Sequence, residues 1–163
     1  MSLIVSNASP LIALARIDQF ALLRQVFQNI IVPEAVWEEV VIRGSGKPAA
    51  NLTLQAEQEG WLNRQTVQDN LAVATLQANL GSGESEAIIL AQELQAMWVL
   101  LDDDLARTHA IRLGLSVKGT AGITLAAYHA GLITDVKATL DDLRTQSFRL
   151  SDRVYHAILS QAK

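Results

Sequence analysis

Met97-Trp98-Val99-Leu100-Leu101-Asp102-Asp103-Asp104 runs from five apolar residues straight into three acids. A continuous apolar run with so sharp an end reads as a strand buried on both faces of a parallel sheet. In an open parallel sheet the carboxyl ends of the strands form the edge where sites assemble. Helix capping accounts for one or two of the three acids, since Asp is a favoured N-cap and acids in a first turn complement the helix dipole. It accounts less well for the whole triplet at that edge.

The same pattern repeats outward from this strand. Leu3-Ile4-Val5 reads as the first strand, and Ser9-Pro10 as the cap and first position of a helix through Leu11, Ile12, Leu14 and Ala15. A short helix covers Phe20 to Phe27, and Ile30-Ile31-Val32 is the next strand. Pro33 opens a helix whose Val36, Trp37 and Val40 face a core, with Glu39 at the border of that face and Glu38 beside it. Gly44-Ser45-Gly46 is a flexible break. Helices follow over Ala49 to Glu59 and Leu71 to Asn79, and Trp61-Leu62 begins a third strand, with Thr66-Val67 equally readable as loop.

Downstream, Gly83 leads into a helix from Glu84 to Gln95, with Ser82 or Gly83 as its cap. A helix from Leu105 to Leu113, closed by Gly114, leads to a last strand, Leu115-Ser116-Val117. Three helices finish the chain, over Thr120–Ala130, Asp135–Gln146 and Ser151–Ser160. The expected class is therefore α/β: three layers, with helices on both faces of a parallel sheet of about four or five strands. A single domain over residues 1–163 is the expectation.

Composition narrows the chemistry. Half of the residues are hydrophobic, which argues against disorder. There are no cysteines, so thiolate chemistry, disulfides and Cys-based zinc sites are excluded. The three histidines (His109, His129 and His156) have no paired ligand spacing. The N-terminus lacks a signal-peptide pattern, and no apolar run reaches the ~18–20 residues of a membrane span. A cytoplasmic protein without membrane contact is expected. The net charge of −4 gives no global basic footprint, though it leaves room for a local nucleic-acid groove.

Two sharper readings fail on residue type. Gly81-x-Gly83 has the start of a dinucleotide loop, but a helix precedes it and Glu86 stands at the third glycine position. A glutamate there would repel a pyrophosphate. A phosphoacceptor receiver needs an acid pair after strand one, where this chain has Asn7.

Four short motifs recur in register across nearly the whole chain: Ser6 to Leu14, Gly83 to Ile88, Asp102 to Arg107 and Gly119 to Gly122. In these the chain resembles the PIN domains, a nuclease fold, and within them the branch carrying SNxSPLIAL, GExEAI, DDxxAR and GTxG. The resemblance implies a ribonuclease that holds Mg²⁺ or Mn²⁺ on three or four acids. Carried over by position, the first acid falls on Asn7, the second on Glu39 (with Glu38 its neighbour), the third on Glu84 and the fourth on Asp102 or Asp103. Ser9 and Thr120 match hydroxyl residues bordering the site, and Arg107 a basic residue that contacts phosphate or pairs with an acid.

Asn7 departs from the acidic pattern, and an amide oxygen ligates a cation less strongly than a carboxylate. That residue supports the alternative of a non-catalytic binding module. The resemblance further implies single-stranded or structured RNA as substrate, a small antitoxin protein that inserts into the acidic site, and a homodimer. Tyr128, Phe148, Leu150, Tyr155 and Ile158 suit either a dimer face or a plain core, the core being the commoner use.

Overall fold

Alternation along each short strand decides which helices lie on which side of the sheet. In the computed structural model, which describes residues 2–163, the strands are β1 (Ile4–Ser6), β2 (Ile30–Pro33), β3 (Leu62–Gln65), β4 (Trp98–Leu100) and β5 (Val117–Lys118). They form one parallel five-stranded sheet in the order β3-β2-β1-β4-β5. Ile4, Ile30, Val32, Leu62 and Leu100 point to one face. Val5, Ile31, Val99, Leu101 and Val117 point to the other. This is the period-2 geometry of a strand buried on both sides.

The first face packs on α1 (Ala8–Arg16), α2 (Ala21–Phe27), α4 (Pro48–Glu59) and α8 (Thr120–His129), through Leu11, Leu14, Leu23, Ala56 and Ile123. Helix α3 (Glu34–Trp37) adds Val36 and Trp37 to the same cluster. The second face packs on α5 (Asn70–Leu76), α6 (Ser82–Leu94) and α7 (Asp104–Arg112), through Val73, Ala87, Ile88, Ala106 and Ala110. The expected three-layer α/β/α architecture is the one observed. Helices α9 (Val136–Thr145) and α10 (Asp152–Gln161) build a satellite cluster in which Tyr155 and Ile158 are buried and Tyr128, Phe148 and Leu150 are packed. Tyr155 and Ile158 therefore serve as core, while Tyr128, Phe148 and Leu150 pack against them and stay partly exposed.

Several helix starts differ from the sequence expectation. Helix α1 begins at Ala8 with Asn7 at the cap position, and Ser9 caps nothing because its hydroxyl donates to Asp102. Pro10 falls within the first turn, where a missing N–H costs no intrahelical bond. Helix α6 is capped at Gly81 and begins at Ser82, earlier than Glu84. Helix α7 is capped by Asp103, whose side chain accepts from the Ala106 amide at 2.9 Å, so Asp104 and not Leu105 is its first residue. The last strand is Val117–Lys118, shifted from Leu115–Val117.

The helix after β2 also changes character. Beyond Trp37 it winds into a π-helical turn, Glu38–Ile42, closed by the Arg43 amide donating to the Glu38 carbonyl at 2.8 Å. Such turns are frequent at functional sites because the extra residue re-aims side chains. Gly44, expected to be flexible, is buried directly behind this turn. A Cβ there would collide with the Val40 carbonyl oxygen and lie 3.2 Å from that of Glu39. Gly44→Ala is expected to destabilise the protein by about 1–3 kcal/mol, the usual cost of forced overpacking, read as a lower urea midpoint at unchanged m-value.

Candidate functional site

Two chain paths diverge from the centre of the sheet. The chain moves from β1 to β2 and β3 on one side, and returns to place β4 and β5 on the other. The switch point therefore lies between β1 and β4, where open α/β sheets form their crevice. Ser6 pairs with Leu100, and the Asn7 amide continues the ladder by donating to the Leu100 carbonyl at 3.0 Å. Asn7 and Asp102 thus leave adjacent strands at the same end.

A cleft of about 1330 Å³ opens there, lined by Asn7, Ser9, Glu39, Glu84, Asp102, Asp103 and Arg107 among others. Glu38 and Thr120 are not among its lining residues, Thr120 being buried beneath it. Asn7 is also buried. Gly83 holds one wall: a Cβ on it would meet Asn7 Oδ1 at 3.1 Å, Glu39 Oε1 at 3.4 Å and Val36 Cγ2 at 3.5 Å. The absence of a side chain lets α6 approach both oxygen donors. The sequence motif marks Gly83 only as a capping residue, because this approach depends on three separate elements.

Asp102 is the best-anchored acid. Its Oδ1 accepts from the Thr120 amide at 2.7 Å, and its Oδ2 accepts from the Thr120 hydroxyl at 2.7 Å and the Ser9 hydroxyl at 2.8 Å. The Thr120 amide is the first donor of α8, so Asp102 also satisfies an orphan N–H at a positive helix end. Arg107 donates to the Leu101 carbonyl at 3.1 Å. Gly119 fills the gap between these groups, since a Cβ on it would lie 2.8 Å from Arg107 Nη1 and 3.0 Å from Asp102 Oδ1. The hydroxyls of Ser9 and Thr120 therefore fix the rotamer of Asp102.

The other acids have more divided roles. Asp103 caps α7 while bordering the cleft. Glu84 accepts from the Gly81 amide at 3.3 Å, a capping contact, while also lining the cleft. Glu86, a capping acid by its position in the sequence, instead accepts from the Ala35 amide at 3.1 Å and ties α6 to the start of α3. Partial burial pushes the Glu84 carboxyl above its ordinary value of 4.5; the Gly81 contact opposes this, and the charges of Asp103 and Glu39 add to it.

Between 4.5 and the raised value the folded state binds more protons than the unfolded chain. Stability is therefore fully present below 4.5 and declines as pH rises through that window. Glu84→Gln is expected to remove this decline, seen as a flatter melting temperature against pH in the presence of a chelator.

Asn7 Oδ1 and these carboxylates form an all-oxygen donor set, the kind that Mg²⁺ and Mn²⁺ prefer. Among the described residues, no group of three His, Asp or Glu side chains converges as a direct cage. The physical reason is that Asp102, Asp103 and Glu84 are drawn to Thr120, Ala106 and Gly81 respectively. The donors still fit an ion that keeps several waters beside one or two carboxylates, which is the habit of Mg²⁺.

Sequence motifs point to one basic residue here, Arg107. Five more line the cleft: Arg16, Arg43, Lys118, Arg149 and Arg153. Burial lowers the Lys118 pKa, and its ammonium lies 4.3 Å from the centre of the Trp98 ring. No local motif marks these cations, which are gathered from positions 16 to 153 by the fold alone. The cleft is thus acidic at its sheet edge and basic along its walls, in a chain of net charge −4. No helix among the described residues is long and apolar enough to cross a membrane.

A family model described as a PIN domain matches residues 3–163. A comparison with curated proteins finds no match.

Proposed function

Since the chain belongs to the PIN-domain family, a nuclease-like and generally divalent-metal-dependent family, we propose that it is a ribonuclease dependent on Mg²⁺ or Mn²⁺. The observation that carries this reading is the shared cleft: Asn7, Glu39, Glu84, Asp102 and Asp103 border one crevice at the β1/β4 switch point. Asn7 Oδ1 at the end of β1, Glu39 on the π-helical turn and Glu84 on α6 would hold the ion together with Asp102 and Asp103 at the end of β4. A bound divalent ion supplies an activated water and charge stabilisation for in-line phosphodiester cleavage.

The chain's own residues do the rest. Ser9 and Thr120 keep Asp102 in one rotamer through its Oδ2. Gly83 keeps the wall close to Asn7 and Glu39. The basic walls attract the phosphodiester backbone at a steep dependence on salt. RNA digestion with Mn²⁺ or Mg²⁺ tests the reading. Activity that survives Glu84→Ala, Asp102→Ala and Asp103→Ala belongs to a contaminant and removes the proposal.

Asn7 favours a second reading, a PIN-like module that binds RNA or protein without cleaving. Calorimetric titration separates the two, because absence of Mn²⁺ binding at millimolar concentration supports the non-catalytic module. A small antitoxin protein and a second copy of the chain are the partners that the family resemblance suggests. An antitoxin would act by filling the cleft, and its coding sequence beside this one would support a toxin role.

A further inference from the structure

A smaller chamber of about 260 Å³ lies beside the cleft on its α1/α4 side. The two cavities share Ile12, Arg16, Glu39 and Arg43, so they adjoin across a common wall. Beyond the shared residues the chamber has apolar surface from Val40, Pro48 and Ala49, and an additional cation, Lys47. Arg16, Arg43 and Lys47 are exposed, and among the described residues none of them forms an ion pair. Three unpaired cations around an apolar pocket are complementary to an anion joined to an apolar ring.

We propose that this chamber binds one unpaired nucleotide of a single-stranded RNA whose chain continues across the acids. This rests on the ribonuclease reading for the direction of the strand, but not for the binding itself. The arginines suit phosphate because a planar guanidinium donates two parallel hydrogen bonds to its oxygens. The half-buried Ile12 side chain and the exposed Pro48 ring offer an apolar contact for a base. Glu39, on the wall shared with the cleft, accepts from a base's amino or imino group. A nucleotide supplies both partners at once, a phosphate for the cations and a base N–H for Glu39, which favours nucleic acid over an acidic peptide as the occupant. The chamber is smaller than the ~300–1,000 Å³ typical of pockets for drug-sized ligands, which suits a single nucleotide and not a folded RNA element.

The test is fluorescence anisotropy with a labelled ten-nucleotide single-stranded RNA in EDTA, where cleavage plays no part. The combined Arg16→Ala, Arg43→Ala and Lys47→Ala variant is expected to bind at least tenfold more weakly. Its log–log salt slope should be shallower by about 0.7 for each phosphate that is no longer neutralised. Arg112→Ala, whose side chain lies outside both cavities, should leave affinity and slope unchanged. The charge-conserving Arg16→Lys, Arg43→Lys pair should keep most of the slope, which separates removal of charge from failure to fold.

Unchanged affinity and slope in the triple variant overturn the proposal, even when the wild type cleaves RNA. A wild type that binds RNA through these residues but never cleaves it upholds the proposal and removes the ribonuclease reading. Binding of a poly-glutamate peptide with the same variant dependence, and no such dependence for RNA, assigns the chamber to a protein partner and also overturns it.

Discussion

Asp102→Asn is expected to cut metal-dependent RNA cleavage at least a hundredfold while leaving the melting temperature nearly unchanged. The expectation follows from separating charge from shape. Asparagine keeps an oxygen that accepts from the Thr120 amide, and its amide nitrogen faces the Ser9 and Thr120 hydroxyls, which can rotate to accept. The fold therefore loses little. The ion loses a charged partner, and metal-ion charge stabilisation is worth several kcal/mol in the transition state, with ~1.36 kcal/mol per tenfold in rate. Asp102→Ala should differ by also destabilising the protein. It strands the first amide of α8 and both hydroxyls, and an unsatisfied buried polar group costs about 1–3 kcal/mol. Calorimetry of both variants beside a cleavage assay checks the separation. Full cleavage by Asp102→Asn would show that the Asp102 cluster serves only to cap α8.

The readable part of this chain is the part written in local chemistry. Apolar runs such as Val99-Leu100-Leu101 mark the sheet, and the step from those residues to Asp102 marks its functional edge, because both signals are contiguous. The motif set at Ser6 to Leu14, Gly83 to Ile88, Asp102 to Arg107 and Gly119 to Gly122 points to the PIN-domain family, to which the chain belongs. Helix starts are less legible, since several residues compete for each cap. Ser9 is a good cap by type, but Asp102 takes its hydroxyl across 93 residues of sequence. Asp103 and Asp104 are interchangeable on paper, and only the Ala106 contact shows which of them caps α7.

The π-helical turn at Glu38–Ile42 has no compositional mark, yet Glu39 lines the cleft and Glu38 does not. The basic walls are the least legible feature. Arg16 ends one helix, Arg43 follows another, and Arg149 and Arg153 belong to the C-terminal segment, so nothing short of the fold joins them. A net acidic chain can carry a basic groove because net charge discards position.

Asn7→Asp is expected to raise Mn²⁺ affinity at least tenfold and to make the melting temperature depend strongly on metal. Asn7 is buried, and Gly83 brings α6 against its Oδ1 with Glu39 Oε1 close by. A carboxylate at this position adds a charge to a wall where burial, Asp103 and Glu39 already hold Glu84 above its ordinary value. Without a cation the added repulsion has no relief, so the variant should melt below the wild type in EDTA. With a cation the same charge becomes the strongest donor of the set, since more carboxylates raise affinity for hard ions.

A tenfold gain in affinity is about 1.4 kcal/mol, and a ligand at one hundred times its dissociation constant stabilises the folded state by about 2.7 kcal/mol. The melting curves of variant and wild type should therefore cross as Mn²⁺ is raised to millimolar levels. Cleavage should rise with the affinity if Asn7 is what limits the ion. An equal loss of stability with and without Mn²⁺ would mean that the Asn7 oxygen faces no cation, leaving Glu39, Glu84, Asp102 and Asp103 to hold any ion without it.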